Sequence, residues 1–338
     1  MSETGAETET TVYHDEDADL SVLNGRTIGI VGYGNQGRAQ ALNLRESGVS
    51  DVVVGNRADE SREQAREDGF KASDIPTAVA RADVVFLLIP DEVAPDVYEE
   101  AVAPNLAPGD LVNFASGFNV TYGYIDPADD VDVVLLAPRM IGTVVRDLYE
   151  AGRGAPALLA VHQDATGEAH DVALALAKGI GSTRSGVVES TFEAETTTDL
   201  MSEQALFPLF VHAIMAKYRA EVDAGIPPEV VLLESYLSRE MAYIFEQAAT
   251  RGMIEQLELH SRTSQYGQLD GLASFDPASM DEFMQERLSA IRSGAFAEEW
   301  REQQERGTPR LEDLFERYRE SELIRHEQET METLGLDE

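Results

Sequence analysis

Residues 27–37 read Thr-Ile-Gly-Ile-Val and then Gly-Tyr-Gly-Asn-Gln-Gly, and few architectures accept that order. Residues 27–31 are a short apolar run rich in β-branched side chains, the pattern of a buried strand. The run leads directly into Gly32, Gly34 and Gly37, after which Ala39, Ala41, Leu42 and Leu44 mark the apolar positions of a helix. Strand, glycine turn and helix in this order are the opening unit of a dinucleotide-binding fold. Gly32 permits the tight turn, Gly34 removes a side chain where a pyrophosphate approaches, and Gly37 lets helix and strand pack closely. Tyr33, Asn35 and Gln36 complete the loop, and the helix N-terminus behind it faces the phosphates.

The same alternation continues. Residues 51–55, 84–89, 111–115, 133–137 and 157–161 read as strands, and residues 60–68 as a helix. Strands and helices alternating at these lengths specify an α/β fold with a doubly wound parallel sheet of Rossmann type. Ligands of such sheets bind beyond the carboxyl ends of the strands. Those ends carry Asn56-Arg57, Pro90-Asp91, Ser116-Gly117 and Pro138-Arg139. An acid at the end of the second strand suits the ribose hydroxyls of NAD, whereas an arginine suits the 2′-phosphate of NADP. Here Arg57, Ser61 and Arg62 favour NADP, while Asp59 and Glu60 in the same loop leave NAD open.

After about residue 190 the strand signal stops and helices follow. The first is expected over residues 197–222, with the threonines at 196–198 at its start and Pro208 bending it. Its apolar stripe comprises Leu200, Met201, Leu206, Leu209, Phe210 and Ala213. Asp199 and Glu203 stand one turn apart on one face. Two stacked carboxylates suit a divalent cation, since Mg²⁺ is commonly held by one or two carboxylates plus water; a solvated acidic face is the alternative. A second helix, expected over residues 228–250, carries Glu234 and Ser238 and has the apolar pattern of a core helix. Further helical patterns cover residues 279–293 and 309–334. The chain is expected to comprise an acidic tail over residues 1–20, a nucleotide-binding domain over 21–190 and a helical domain over 191–330.

Charge narrows the partners. Against 26 Lys and Arg stand 63 Asp and Glu, a formal net charge of −37 spread along 338 residues. Such a surface repels itself unless salt screens it, which points to a high-salt cytoplasm. No basic stripe exists to replace phosphate counterions, so nucleic acid is not an expected partner. There is no cysteine, so no disulfide or thiolate chemistry. The polar N-terminus lacks the pattern of a signal peptide, and no apolar run is long enough to span a membrane.

Taken together, GYGNQGRAQALNLRESG, LLIPDE, FASGF, APRMIGTVVR, QDATGEAHDVALALAKGIG and TTTDLMSEQA resemble the ketol-acid reductoisomerase family, in its short class with one helical domain. The resemblance covers about residues 12–330. It implies a knotted helical domain, a homodimer or larger assembly, NADPH and Mg²⁺. The reaction it implies is an alkyl migration followed by reduction, converting 2-acetolactate-type ketol acids to 2,3-dihydroxy acids in branched-chain amino-acid synthesis. It assigns Gly32, Gly34 and Gly37 to the cofactor loop, and Arg57 and Ser61 to the 2′-phosphate. Asp199 and Glu203 match metal carboxylates, Glu234 matches a third supplied by the partner subunit, and Ser261 matches a serine that touches the substrate carboxylate.

Departures from the family pattern cluster where the chemistry belongs. Ser116 stands at a family histidine, Arg139 at a lysine that touches substrate oxygen and metal, Ser238 at a fourth metal carboxylate, and Thr143 at another histidine. Leu209 and Phe210 replace two glycines and are expected to reshape the pocket. Arginine stays charged and does not serve as a proton-transferring lysine. The migration needs two cations clamping an alkoxide, whereas hydride transfer needs a placed nicotinamide, a polarised carbonyl and a proton source. The expectation is therefore a reductase of a small 2-oxo acid with its isomerase step impaired. In it Arg139, Ser116 and Ser261 form the catalytic set. The alternatives are a true ketol-acid reductoisomerase and a catalytically silent NADP-binding protein.

Overall fold

The computed structural model describes residues 10–336, and the chain divides into two units, residues 1–198 and 199–338. Among the described residues of the first unit, nine strands form one sheet: β1 (Val12–Tyr13), β2 (Ile28–Val31), β3 (Val52–Gly55), β4 (Lys71–Ser73), β5 (Val84–Leu87), β6 (Leu111–Phe114), β7 (Asp132–Pro138), β8 (Ala157–Gln163) and β9 (Val187–Glu189). Their order is β1-β9-β8-β7-β6-β5-β2-β3-β4. The helices are α1 (Asn35–Glu46), α2 (Glu60–Glu67), α3 (Ile75–Val79), α4 (Ala94–Val97), α5 (Phe118–Thr121), α6 (Gly142–Glu150), α7 (Ala169–Ile180) and α8 (Phe192–Met201), the last running across the division.

Alternating side chains of the central strands bury both sheet faces. Ile28, Ile30, Phe86, Val134 and Leu136 pack with Ala41 and Leu44 of α1 and Leu176 of α7. Val31, Val85, Leu87, Val133 and Leu135 pack with Val79 of α3 and Ala94 of α4 on the other side. A parallel sheet covered on both faces needs such near-continuous apolar strands.

The sheet is mixed, however. β7 and β8 run antiparallel, as do β1 and β9, while the remaining neighbours are parallel. The reason for the reversal at β8 is that α6 packs on α1, through Val145, Ala155 and Ala39, and not on the sheet. The chain therefore returns beside β7 from the end at which it left. The loop before α7 is shaped by two acids. Asp132 accepts from the backbone N–H of Ala165 (2.7 Å) and Thr166 (3.0 Å), and Asp164 Oδ1 accepts from the N–H of Gly167 and Ala169.

The expected acidic tail is held in place over most of its described part. β1 lies beside β9, the Tyr13 hydroxyl donates to Glu189, and Lys178 Nζ donates to the carbonyls of Asp15 and Ala18, each at 2.7 Å. A half-buried lysine and a strand register are what the acidic composition concealed. Residues 1–9 of that tail lie outside the described residues.

The second unit is helical: α9 (Phe207–Asp223), α10 (Pro228–Leu232), α11 (Glu240–Arg251), α12 (Arg262–Ser274), α13 (Ala278–Arg292), α14 (Ala295–Glu305), α15 (Pro309–Arg319) and α16 (Glu322–Leu334). Four sequence expectations change here. The first helix starts at Phe192, where the Thr191 hydroxyl accepts from the N–H of Ala194, so the later threonines lie inside it. A π-turn over Ser202–Leu206 separates α8 from α9. It accommodates Pro208, which has no N–H to give and whose ring crowds the preceding turn.

The helix expected over 228–250 is broken. A second π-turn spans Leu233–Leu237, and Arg239 adopts a left-handed conformation (φ 64°) before α11 begins. Nor is α11 a core helix: no residue of it is buried, and Tyr243 and Phe245 are 55% and 48% exposed. The pattern over 309–334 is two helices, parted where Ser321 caps α16. Tyr218, Val231, Leu232 and Leu323 form a small core joining α9, α10 and α16. No helix among the described residues is long and apolar enough to cross a membrane.

Candidate active site

The glycine loop is built by steric exclusion. Gly32 has φ +94°, and a Cβ on it would strike the Leu88 carbonyl. A Cβ on Gly37 would strike the Gly32 carbonyl, so helix and turn can only meet here without side chains. Gly34 is different: it caps α1, is exposed, and a Cβ on it would project into open space. That open cradle in front of the helix N-terminus fits a pyrophosphate.

The loop is braced from beneath and from the side. The Tyr33 ring is buried, stacks edge-on against Phe70, and donates its hydroxyl to Asp68 at 2.9 Å. Arg38 grips the same carboxylate with Nε and NH2, which holds Asp68 below the usual carboxylate range; burial and Asp68 push the Tyr33 hydroxyl up. Asn35 Oδ1 accepts from the Thr143 N–H at 2.7 Å, and Gln36 Nε2 donates to the Met140 carbonyl at 2.8 Å. Thr143 thus meets the cofactor loop through its backbone.

At the end of β3, Asp59 caps α2 and gathers three donors. Asn56 Nδ2 and the Arg62 N–H reach Oδ1, and Arg57 Nε reaches Oδ2 at 2.7 Å. The Arg57 guanidinium holds the Asp59 carboxyl below its ordinary range. Arg62 is turned back onto the carbonyls of Asn56 and Arg57. Ser61 is half-buried in the first turn of α2, while the Arg57 side chain is 87% exposed.

Beyond the ends of β5 and β6 lies a cavity of about 260 Å³, lined among others by Gln36, Pro90, Asp91, Ser116 and Asn119. The Ser116 hydroxyl donates to Asp91 Oδ2 at 3.0 Å and accepts from the Phe118 N–H. Asn119 Nδ2 donates to both the carbonyl and the carboxylate of Asp91, at 3.1 Å each. Beside Ser116, the Gly117 N–H donates to Glu195 Oε2 at 2.8 Å, and Arg139 NH1 donates to Glu195 Oε1 at 2.8 Å. The Glu195 side chain is only 2% exposed. Thr196 and Thr121 share a hydroxyl hydrogen bond of 3.0 Å next to it.

Ser116 and Arg139 therefore converge on one corner, with Glu195 between Arg139 and the Gly117 turn. Sequence reading missed Glu195. The signal was an acid one helical turn before Asp199, together with an arginine at the end of an apolar strand that needed a counter-ion.

The remaining candidates belong to the helical unit. Asp199 is half-buried on α8, Glu203 is exposed in the first π-turn, and Glu234 is exposed in the second. Ser238 is exposed just after that turn. Ser261 is the exposed N-cap of α12, where its Oγ accepts from the Ser264 N–H at 3.3 Å. Phe210 packs edge-on against Phe245 at 5.8 Å. Among the described residues no three His, Asp or Glu side chains gather as a metal site. Asp199 and Glu203, one turn apart, fit a Mg²⁺ held by two carboxylates with water completing its shell.

Comparison with known proteins agrees with this geometry. Residues 22–186 match the family described as acetohydroxy acid isomeroreductase, NADPH-binding domain, and residues 192–334 match the ketol-acid reductoisomerase C-terminal domain. A ketol-acid reductoisomerase (NADP(+)) of Pyrobaculum calidifontis is 45% identical over 311 residues, covering 90% of this chain and 93% of its own. One from Methanopyrus kandleri is 41% identical, covering 97% of this chain and 99% of its own. The structure of an NADH-preferring ketol-acid reductoisomerase from an uncultured archaeon superposes with a TM-score of 0.88 at 38% identity, covering 95% of this chain and 98% of that one. With both domains matched in order and the relatives covered almost end to end, the chain belongs to the ketol-acid reductoisomerase family, and it is an NADP-dependent oxidoreductase.

Proposed function

We propose that this enzyme reduces a small 2-oxo acid with NADPH and Mg²⁺, and that the alkyl-migration half of the family reaction is impaired. One observation carries the reading: the groups at the family's histidine and lysine positions are Ser116 and Arg139, and both are engaged, by Asp91 and by buried Glu195. A guanidinium paired with a buried carboxylate keeps its proton and cannot relay one. When bound, NADPH supplies the hydride for the carbonyl carbon and Mg²⁺ polarises the carbonyl. The glycine loop orients the cofactor, and Arg57 with Ser61 holds the 2′-phosphate. Asp199 and Glu203 hold the cation, with Glu234 supplied by a second copy of the chain. The Ser261 cap bond uses a lone pair, so its O–H remains to donate to the substrate carboxylate. The carbonyl oxygen takes its proton from water.

A homodimer or larger homo-oligomer fits this reading, because α11 leaves Tyr243 55% exposed, and Phe245 stays 48% exposed even with Phe210 against one edge of its ring. The charge of −37 suits a salty cytoplasm and disfavours nucleic-acid and anionic membrane partners.

The test is NADPH oxidation in concentrated KCl with Mg²⁺, offering 2-acetolactate and 3-hydroxy-3-methyl-2-oxobutyrate separately. Turnover of the second compound alone is expected, since it bypasses migration. Equal turnover of 2-acetolactate overturns the impairment and supports a second reading, an intact ketol-acid reductoisomerase, which 45% identity over 90% of the chain favours. Cofactor binding with neither substrate consumed supports a silent NADP-binding protein.

A further inference from the structure

We infer that Gln40, which lies outside both the cavity and the glycine loop, is a positioning residue: by fixing the Gln36 amide it holds the loop that carries Arg139. Arg139, Met140 and Ile141 are all exposed where the chain leaves β7, so apolar packing does little to place them. Polar contacts place them instead. The Arg139 N–H donates to the Pro156 carbonyl at 2.8 Å, and the Met140 carbonyl accepts from Gln36 Nε2 at 2.8 Å. These two bonds bracket Arg139, one from the start of β8 and one from the first turn of α1. Just beyond, Gly142 lies flush on α1, where a Cβ would strike the Asn35 carbonyl. A shift of the Met140 carbonyl moves the backbone next to Arg139, and with it the guanidinium that faces Glu195.

A glutamine amide has a donor end and an acceptor end, and only one orientation serves Met140. Turned over, Gln36 would set Oε1 against the Met140 carbonyl, two acceptors with no proton between them. Gln40 makes the choice. From one turn further along α1, its Nε2 donates to Gln36 Oε1 at 3.0 Å. Gln40 is fully buried, and its Oε1 has no hydrogen-bond partner among the described residues. An amide in such a place costs stability that a methionine of similar length would not. Stability therefore does not account for Gln40, whereas the bond to Gln36 does.

The experiment is hydrogen exchange by mass spectrometry on the full-length protein, reading the peptide that covers residues 139–145, with urea unfolding alongside at one fixed KCl concentration. In Gln40→Met that peptide is expected to exchange about two- to tenfold faster, the weight of one hydrogen bond, while the urea midpoint holds or rises. Gln36→Met is expected to speed the same peptide at least as much. Adding Gln40→Met to it is expected to change nothing more, because the two residues act in series. An unchanged peptide in Gln40→Met overturns the inference. So does a lowered urea midpoint with faster exchange across the central strands, which is what lost packing gives, and so does additivity in the double variant. Where the proposed 2-oxo acid is turned over, kcat is expected to fall in Gln40→Met with the NADPH dissociation constant little changed. Absence of turnover by the wild type counts against the proposed function and leaves the exchange result to decide this inference.

Discussion

Glu195 is the residue whose role depends most on its neighbours. It is buried, balances Arg139 and accepts the Gly117 N–H, so the two ends of the ion pair are not equivalent. Arg139→Met removes the guanidinium that faces the buried Glu195 carboxylate and is expected to cost about 3–5 kcal/mol in urea unfolding at fixed KCl. Glu195→Gln keeps an acceptor for Gly117 and removes the charge only from the side of the more exposed arginine, so it is expected to cost less, about 1–3 kcal/mol. Equal losses would mean that the pair is a surface contact. Asp68 supplies a pH signature. Its folded pKa is depressed by Arg38 and Tyr33, so the stability it contributes is present above the unfolded carboxyl value near ~4 and is lost as pH falls through the lower folded value. Asp68→Asn is therefore expected to lower the neutral-pH stability by about 1–3 kcal/mol and to match the wild type in strong acid, as read by denaturation at several pH values. At this scale the glycine loop was legible, because Gly32 and Gly37 are dictated by backbone contacts a few residues away. The Arg139–Glu195 pair was not, because its partners are 56 residues apart and nothing local joins them.

Helical period identified α9 and α11 as helices but misjudged what surrounds them. An apolar stripe states that a face must be covered; it does not state by which chain. In α11 that face stays about half exposed, as do Leu206, Phe207 and Val211 around the start of α9. If the proposed oligomer forms through this face, Tyr243→Glu with Phe245→Glu is expected to lower the mass measured by light scattering to that of a monomer, with the first unit's NADPH binding retained. An unchanged mass would exclude α11 from the interface. The two π-turns were invisible for a related reason. Glu203 and Glu234 each sit in one, and the extra residue per turn re-aims the side chains that follow. Nothing in the composition of SEQAL or LESYL separates a π-turn from an ordinary helical turn, since the choice is made by which carbonyl is free to accept.

For the molecule as a whole, charge is expected to tie stability to salt. With 63 acids against 26 bases, self-repulsion is screened over about 10 Å at 0.1 M salt and about 3 Å at 1 M. The melting temperature is expected to rise steadily with KCl into the molar range, and a flat or falling curve would show that the acids serve something other than salt tolerance. The sequence alone determined the two-part organisation, the glycine loop and the run of central strands. Each of these follows from contacts within a turn or from a side-chain period, which are properties of neighbouring residues. The tertiary structure decided the antiparallel β8, the pairing of β1 with β9, the engagement of Arg139 and Ser116, and the division of labour between Arg57 and Arg62. Those outcomes depend on which distant groups meet once the chain has packed, and on burial, which fixes whether a charge must find a partner or can remain in water.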